Sequence, residues 1–138
     1  EKGQTPLHKA IKAGQADMVQ ALLDNAASLT TLCTYKTVQI HALEYAVIRG
    51  EKECVDVIFR KAGKEVGSLL KSSTWGSLLH AAIHFQQNGM LEHLLNNYSR
   101  EMHNYLERRD SKGRTPFAYA VYVANLEALF LLKLRAVN

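Results

Sequence analysis

Apolar positions along the chain fall into a cadence of short helix, turn and second helix. In the first copy Leu7, Ala10 and Ile11 lie three and four residues apart, which puts them on one face of a helix. Thr5 just ahead offers a hydroxyl to an otherwise unpaired backbone N–H. Pro6 takes the first helical position, where its missing N–H costs nothing. Gly14 supplies the turn that ends this helix, and Met18, Val19, Leu22 and Leu23 form the apolar stripe of the second. Leu43, Ala46, Val47, Gly50, Cys54, Val55 and Ile58 repeat the pattern 36 residues later. Leu79, Ala82, Ile83, Met90, Leu91 and Leu94 repeat it after another 36. Thr115-Pro116-Phe117, Ala120, Val121, Leu129 and Leu132 repeat it after a further 38. The copies span approximately 1–24, 41–63, 77–97 and 114–136. Self-similarity at this period marks a solenoid. A hairpin so small cannot bury its own apolar face, so stacking on its neighbours supplies the core.

The links between copies differ. Residues 25–40, which hold Thr30, Thr31, Thr34, Thr37, Val38 and Ile40, favour extended backbone. The link from Lys64 to Gly76 has room for a short helical turn, with Ser68 as its cap. Trp75, the only tryptophan, precedes the third copy and is expected to pack against a helix end. In the third copy Gly89 comes later than the Gly14 position, so a different turn is expected there. Tyr98, Met102, Tyr105 and Leu106 then keep helical spacing, either as an extension of the preceding helix or as a separate short one.

The segments Gly3-Gln4-Thr5-Pro6-Leu7-His8 with Ala10, and Asp110-Ser111-Lys112-Gly113-Arg114-Thr115-Pro116 with Ala120, carry a resemblance to the ankyrin-repeat family. Leu79-His80-Ala81-Ala82 and Asn125-Leu126-Glu127 support it. His41-Ala42 and Ser77-Leu78 stand where Thr-Pro is usual, so those two copies match mainly by apolar spacing. The spacings exceed the ~33 residues of an ankyrin unit by about 3, 3 and 5, which implies enlarged links. The resemblance implies an all-α fold, a solenoid of four helix-turn-helix repeats with partly extended inter-repeat loops, forming one domain over residues 1–138. It also gives Thr5, Pro6, His8, His80, Thr115 and Pro116 structural roles, the histidines bonding loop backbone between repeats.

Composition narrows the function. Hydrophobic residues make up 47% of the chain and charged residues 22%, ordinary for a globular protein. The net charge of +4 is mildly basic. Two cysteines, Cys33 and Cys54, suit a reducing compartment, and a cytoplasmic location is expected. No run approaches the ~18 apolar residues of a membrane span, so no membrane insertion is expected. A first residue of Glu1 rather than Met reads as a fragment of a longer protein.

Candidate chemistry is thin. His80 and His84 are four apart, a metal-ligand spacing, yet no third and fourth ligand converge with them in the sequence, so no metal or other cofactor is expected. Cys33 with His41 is the one sequence-local thiol–imidazole pairing and lacks an orienting third group. No phosphate loop, Gly-x-Ser-x-Gly elbow or His-Glu-x-x-His is present, and no catalysis is expected. Arg100, Arg108, Arg109, Lys112 and Arg114 crowd the third link. Five such charges give weak, salt-sensitive attraction without specificity, so nucleic acid is not the expected partner.

The resemblance also implies that the two residues after each Ala pair face a shared concave side: Lys12 and Ala13, Ile48 and Arg49, His84 and Phe85, Tyr122 and Val123. Aromatics and Arg among apolar residues suit an interface centre. The expected function is therefore a non-catalytic scaffold that binds a protein partner, acidic or mixed in charge, along this groove. The alternative rests on the second helix of the fourth copy, which is apolar on more than one face. Phe130 and Leu134 would then dock a neighbouring domain or repeat beyond the C-terminus, making the segment an architectural part of a larger enzyme, channel or effector.

Overall fold

The computed structural model describes residues 5–25, 32–35, 38–63, 66–72 and 75–136. Gly3 and Gln4 of the first motif, Thr30, Thr31 and Thr37 of the first link, and Lys64 of the second lie outside those residues. Contacts divide the chain into two compact units, residues 1–70 and 71–138.

The first unit contains α1 (Pro6–Lys12), α2 (Ala16–Asp24), β1 (Cys33–Tyr35), β2 (Val38–Ile40), α3 (Ala42–Arg49), α4 (Lys52–Ala62) and α5 (Val66–Leu69). Each hairpin packs its own helices together, α1 on α2 and α3 on α4. The hairpins then stack, α1 beside α3 and α2 beside α4. The extended link is a two-stranded antiparallel finger, Cys33 opposite Ile40 and Tyr35 opposite Val38. Gln39 Nε2 donates to Thr34 Oγ1 across it at 2.8 Å. Leu7, Ile11, Leu43, Val47 and Ile58 are buried, and so is Tyr45, whose ring meets those of His8 and Tyr35. Burying each such side chain contributes roughly 1.5–3 kcal/mol. On the exposed side Arg60 donates to Gln20 Oε1 at 2.9 Å, and Lys61 pairs with Asp24. The second link does hold a helical turn, α5, but Ser68 lies inside it rather than capping it.

The second unit repeats the plan with β3 (Lys71–Ser72), β4 (Gly76–Ser77), α6 (Leu78–His84), α7 (Asn88–Asn97), α8 (Ser99–His103), α9 (Pro116–Tyr122) and α10 (Leu126–Ala136). Here α6 stacks on α9, and α7 on α10. Of the residues that keep helical spacing after α7, only Met102 lies within the separate helix α8, where it is buried; Tyr98 caps that helix, and Tyr105 and Leu106 follow it in a turn. Asn125 is buried at the start of α10. Its Nδ2 donates to Ile83 O at 3.2 Å and Asn88 Oδ1 at 2.9 Å, and its Oδ1 accepts from Ala128 N–H at 3.2 Å. One side chain thus starts α10 and joins the two hairpins.

The four first helices begin and end alike. Thr5, His41, Ser77 and Thr115 each accept, through the side chain, a backbone N–H from three residues on. His41 and Ser77 therefore fill the capping position despite their departure from Thr-Pro. His41 does so in a reciprocal box, Glu44 N–H donating to His41 Nδ1 and His41 N–H to Glu44 Oε1. Nine residues after each cap comes a left-handed residue: Gly14, Gly50, Gln86 and Ala124, with φ of 70°, 72°, 55° and 59°. The next residue in each case donates its N–H back to the carbonyl of Ala10, Ala46, Ala82 or Ala120. This is the helix-closing bond of a left-handed C-terminal cap. The third copy thus uses the same turn as the others, built on Gln86, and Gly89 lies within α7.

Candidate functional site

Within the second unit the expected strip residues gather around the C-terminal ends of α6 and α9. His84 closes α6 and Phe85 caps it, and their rings meet edge to face at 4.8 Å. Trp75 lies against this helix end as expected, 5.3 Å from the Phe85 ring and 6.2 Å from that of His84. The His84 ring stacks on Tyr119 at 6.1 Å, and its Nδ1 shares a 2.6 Å hydrogen bond with the Tyr119 hydroxyl. Tyr119 stacks in turn on Tyr122 at 6.1 Å. Arg114 completes the row, its Cζ 4.8 Å from the Tyr119 ring centre and 4.4 Å from that of Tyr122. Tyr122 is 71% exposed, whereas Tyr119 is buried beneath it. Burial, the leading cause, raises the Tyr119 hydroxyl above its ordinary range, so it stays protonated and able to donate. Val123 is half-buried at the end of α9.

The turn from Asp110 to Arg114 is fixed beside this row. Asp110 Oδ1 accepts from the N–H groups of Lys112 and Arg114 at 2.9 Å, and Oδ2 from Arg114 Nε at 3.0 Å. Desolvation pushes the Asp110 carboxyl up, but those N–H groups and the guanidinium outweigh it and hold its pKa below the usual range. Arg108 Nε donates to Gly76 O at 2.9 Å. Only glycine fits at 76: its φ is +108°, and a Cβ there would lie 2.9 Å from Asp110 Cβ. His80 links α6 to the same turn, with Nε2 2.9 Å from Arg114 O and Nδ1 2.9 Å from Ser77 Oγ. Its Nε2–H donates to the carbonyl, and Nδ1 receives the serine proton. Burial first, with Arg108 and Arg114 adding, lowers the His80 pKa against the opposing effects of the Arg114 carbonyl and Asp110. Both ring nitrogens are thereby occupied, which removes His80 as a metal ligand.

In the first unit Lys12, Ala13 and Arg49 are exposed at the ends of α1 and α3. Ile48 is not: it is only 4% exposed, because α3 is buried along nearly its whole length, and its side chain is no contact for a partner. Thr5 Oγ1 lies 2.7 Å from His8 Nδ1, the same short-range pairing as Ser77 with His80. Thr115 caps α9 by accepting from Ala118 N–H at 3.2 Å, with Pro116 at its first turn as Pro6 is in α1. Cys54 is buried, and desolvation, with Glu51 and Glu53 nearby, raises its thiol to about 11, which keeps it protonated and a poor nucleophile.

On α10, Phe130 and Leu134 are 69% and 67% exposed, and Leu126 continues their stripe at 67%. The corresponding residues where a second hairpin follows are Ala16, Gln20 and Asp24 on α2, and Asn88, Glu92 and Asn96 on α7, and none is buried. Phe117 and Val121 of α9 are also exposed, at 45% and 57%, whereas their counterparts Leu7, Ile11, Leu79 and Ile83 are buried under a following hairpin.

Sequence reading missed Arg114 and Tyr119 as members of the aromatic row. Arg114 stood out as part of the Asp110–Pro116 motif and as one cation of a loop, and Tyr119 lies one position before the repeated Ala120. The signal for Tyr119 was its alignment with Tyr45, the ring that fills the same place in the second copy.

A sequence model described as ankyrin repeats (3 copies) matches residues 1–69. No curated protein matches the chain. Among the described residues no helix is long and apolar enough to cross a membrane.

Proposed function

Because the chain belongs to the ankyrin-repeat family, whose repeats are protein–protein interaction modules and typically non-catalytic, we propose that it acts by binding a protein partner on the row of side chains at the ends of α6 and α9. His84, Phe85 and Tyr122 are the contact residues, with Val123 at their edge. The observation that carries this reading is the row itself: five rings in contact with one another and the Arg114 guanidinium over two of them, with Tyr122 71% exposed at its end. Such side chains carry much of the energy of known interfaces. Their mutual packing has already removed rotamer freedom, so less entropy is lost on docking. On the first unit, taken by itself, Lys12, Ala13 and Arg49 are the exposed members of the expected strip. The test is partner affinity for Phe85→Ala and Tyr122→Ala. Each should weaken binding by about 1–3 kcal/mol with unchanged folding. Unaltered affinity in both variants would remove the row from the interface.

A second reading, docking of a neighbouring domain on α10, is favoured by Leu126, Phe130 and Leu134. Apolar side chains stand there at positions that stay polar or small and unburied in α2 and α7. A further hairpin of the same kind would cover Phe117 and Val121 and leave this stripe in water. Phe130→Gln with Leu134→Gln should then leave the fold's stability within about 0.5 kcal/mol and reduce self-association of the isolated chain in sedimentation. An unchanged sedimentation profile would count against docking there.

A further inference from the structure

The Arg114 guanidinium is held by a carboxylate and two rings and stays partly exposed. Nε is bonded to Asp110 Oδ2, and the group rests against the Tyr119 and Tyr122 rings. Among the described residues no acceptor meets its two terminal nitrogens. The side chain keeps 25% of its surface exposed, while that of Asp110 keeps 4%. Asp110 offsets part of the guanidinium's charge, but both its oxygens are committed to the turn and to Nε, so it leaves the N–H groups of the two terminal nitrogens available. Residues 107–114 carry four cations, Arg108, Arg109, Lys112 and Arg114, against the carboxylates of Glu107 and Asp110. A partly exposed guanidinium, tied at Nε and resting on two rings, with no described acceptor on its two terminal nitrogens, fits a carboxylate through two parallel N–H bonds. The exposed Tyr122 ring beside it offers an apolar landing for the next side chain.

We propose that Arg114 is the carboxylate anchor of this surface: it takes an Asp or Glu side chain of an acidic partner segment on its two terminal nitrogens, while a neighbouring apolar residue of that segment lies on Tyr122. The inference rests on the reading of the aromatic row as the partner site and adds the chemistry of what it selects.

Short random peptides displayed on phage and selected against the full chain at near-physiological ionic strength provide the probe. Selected peptides should be enriched in Asp or Glu next to an apolar residue. Arg114→Gln should weaken them about 10- to 100-fold, and Arg114→Lys should restore only part of the loss. Replacing the peptide's acidic residue with its amide should cost as much, and the two changes together no more than either alone. This non-additivity separates a lost contact from a misfolded variant, and the unfolding midpoint of Arg114→Gln checks the latter directly. The anchor is overturned if no acidic enrichment appears, if the two losses simply add, or if single-stranded RNA displaces the peptides in an Arg114-dependent way. Peptides that need Arg114 but bind Phe85→Ala and Tyr122→Ala at full strength would sink the aromatic-row reading, and with it the apolar contact on Tyr122, while leaving the carboxylate anchor standing. A selection that yields no binders counts against both.

Discussion

Ala124 and Gln86 sit at positive φ, where a Cβ crowds the neighbouring carbonyl, at a cost of roughly 1–2 kcal/mol. Gly14 and Gly50 hold the same place in the first two copies without that strain. Replacing Ala124 with Gly should raise stability by up to about 1 kcal/mol, because the relieved strain exceeds the extra freedom glycine gains in the unfolded chain. The urea midpoint of unfolding checks this, and a lower midpoint would contradict it. These residues also mark where sequence reading stopped short. A glycine announces a left-handed turn, so the ends of α1 and α3 were legible. Gln86 and Ala124 carry no such mark, and the search for a glycine led to Gly89, which is helical. What imposes the turn is the closing bond to the carbonyls of Ala82 and Ala120.

At the scale of elements, apolar periodicity was enough to place the helix pairs, because each stripe had to meet a neighbour. The links were legible only in kind. Composition gave the first link its extended backbone, and the resemblance implied that His80 bonds loop backbone, but nothing local named the 110–114 turn as what it ties to α6. That tie depends on pH. Burial holds His80 neutral in the fold, with a pKa below the ordinary value of about 6.5 that applies once the chain unfolds. The unfolded chain therefore binds more protons as pH drops. The stability from neutral His80 is fully present above that value and is lost as pH falls through it towards the lower folded one. Chemical denaturation from about pH 7 down to about pH 5 should show a shallower decline for His80→Gln than for the parent chain. Equal slopes would mean that other groups carry the effect.

For the molecule as a whole, the family was legible from two motifs and a period, while the surface proposed here for a partner was legible only in outline. The resemblance chose positions by their offset from the Ala pair, and offset alone does not register depth. It gave Ile48, which α3 buries, the same standing as Tyr122, which is 71% exposed. It also passed over Arg114, which reaches the row from a loop and so has no place in a helical register. Trp75, the chain's sole indole, is half-buried against Phe85 and His84. The chain therefore carries an intrinsic optical reporter at the edge of the proposed docking row. Occupancy of that row should shift and change the intensity of its ultraviolet emission, so that association can be followed in unlabelled protein whatever molecule has bound.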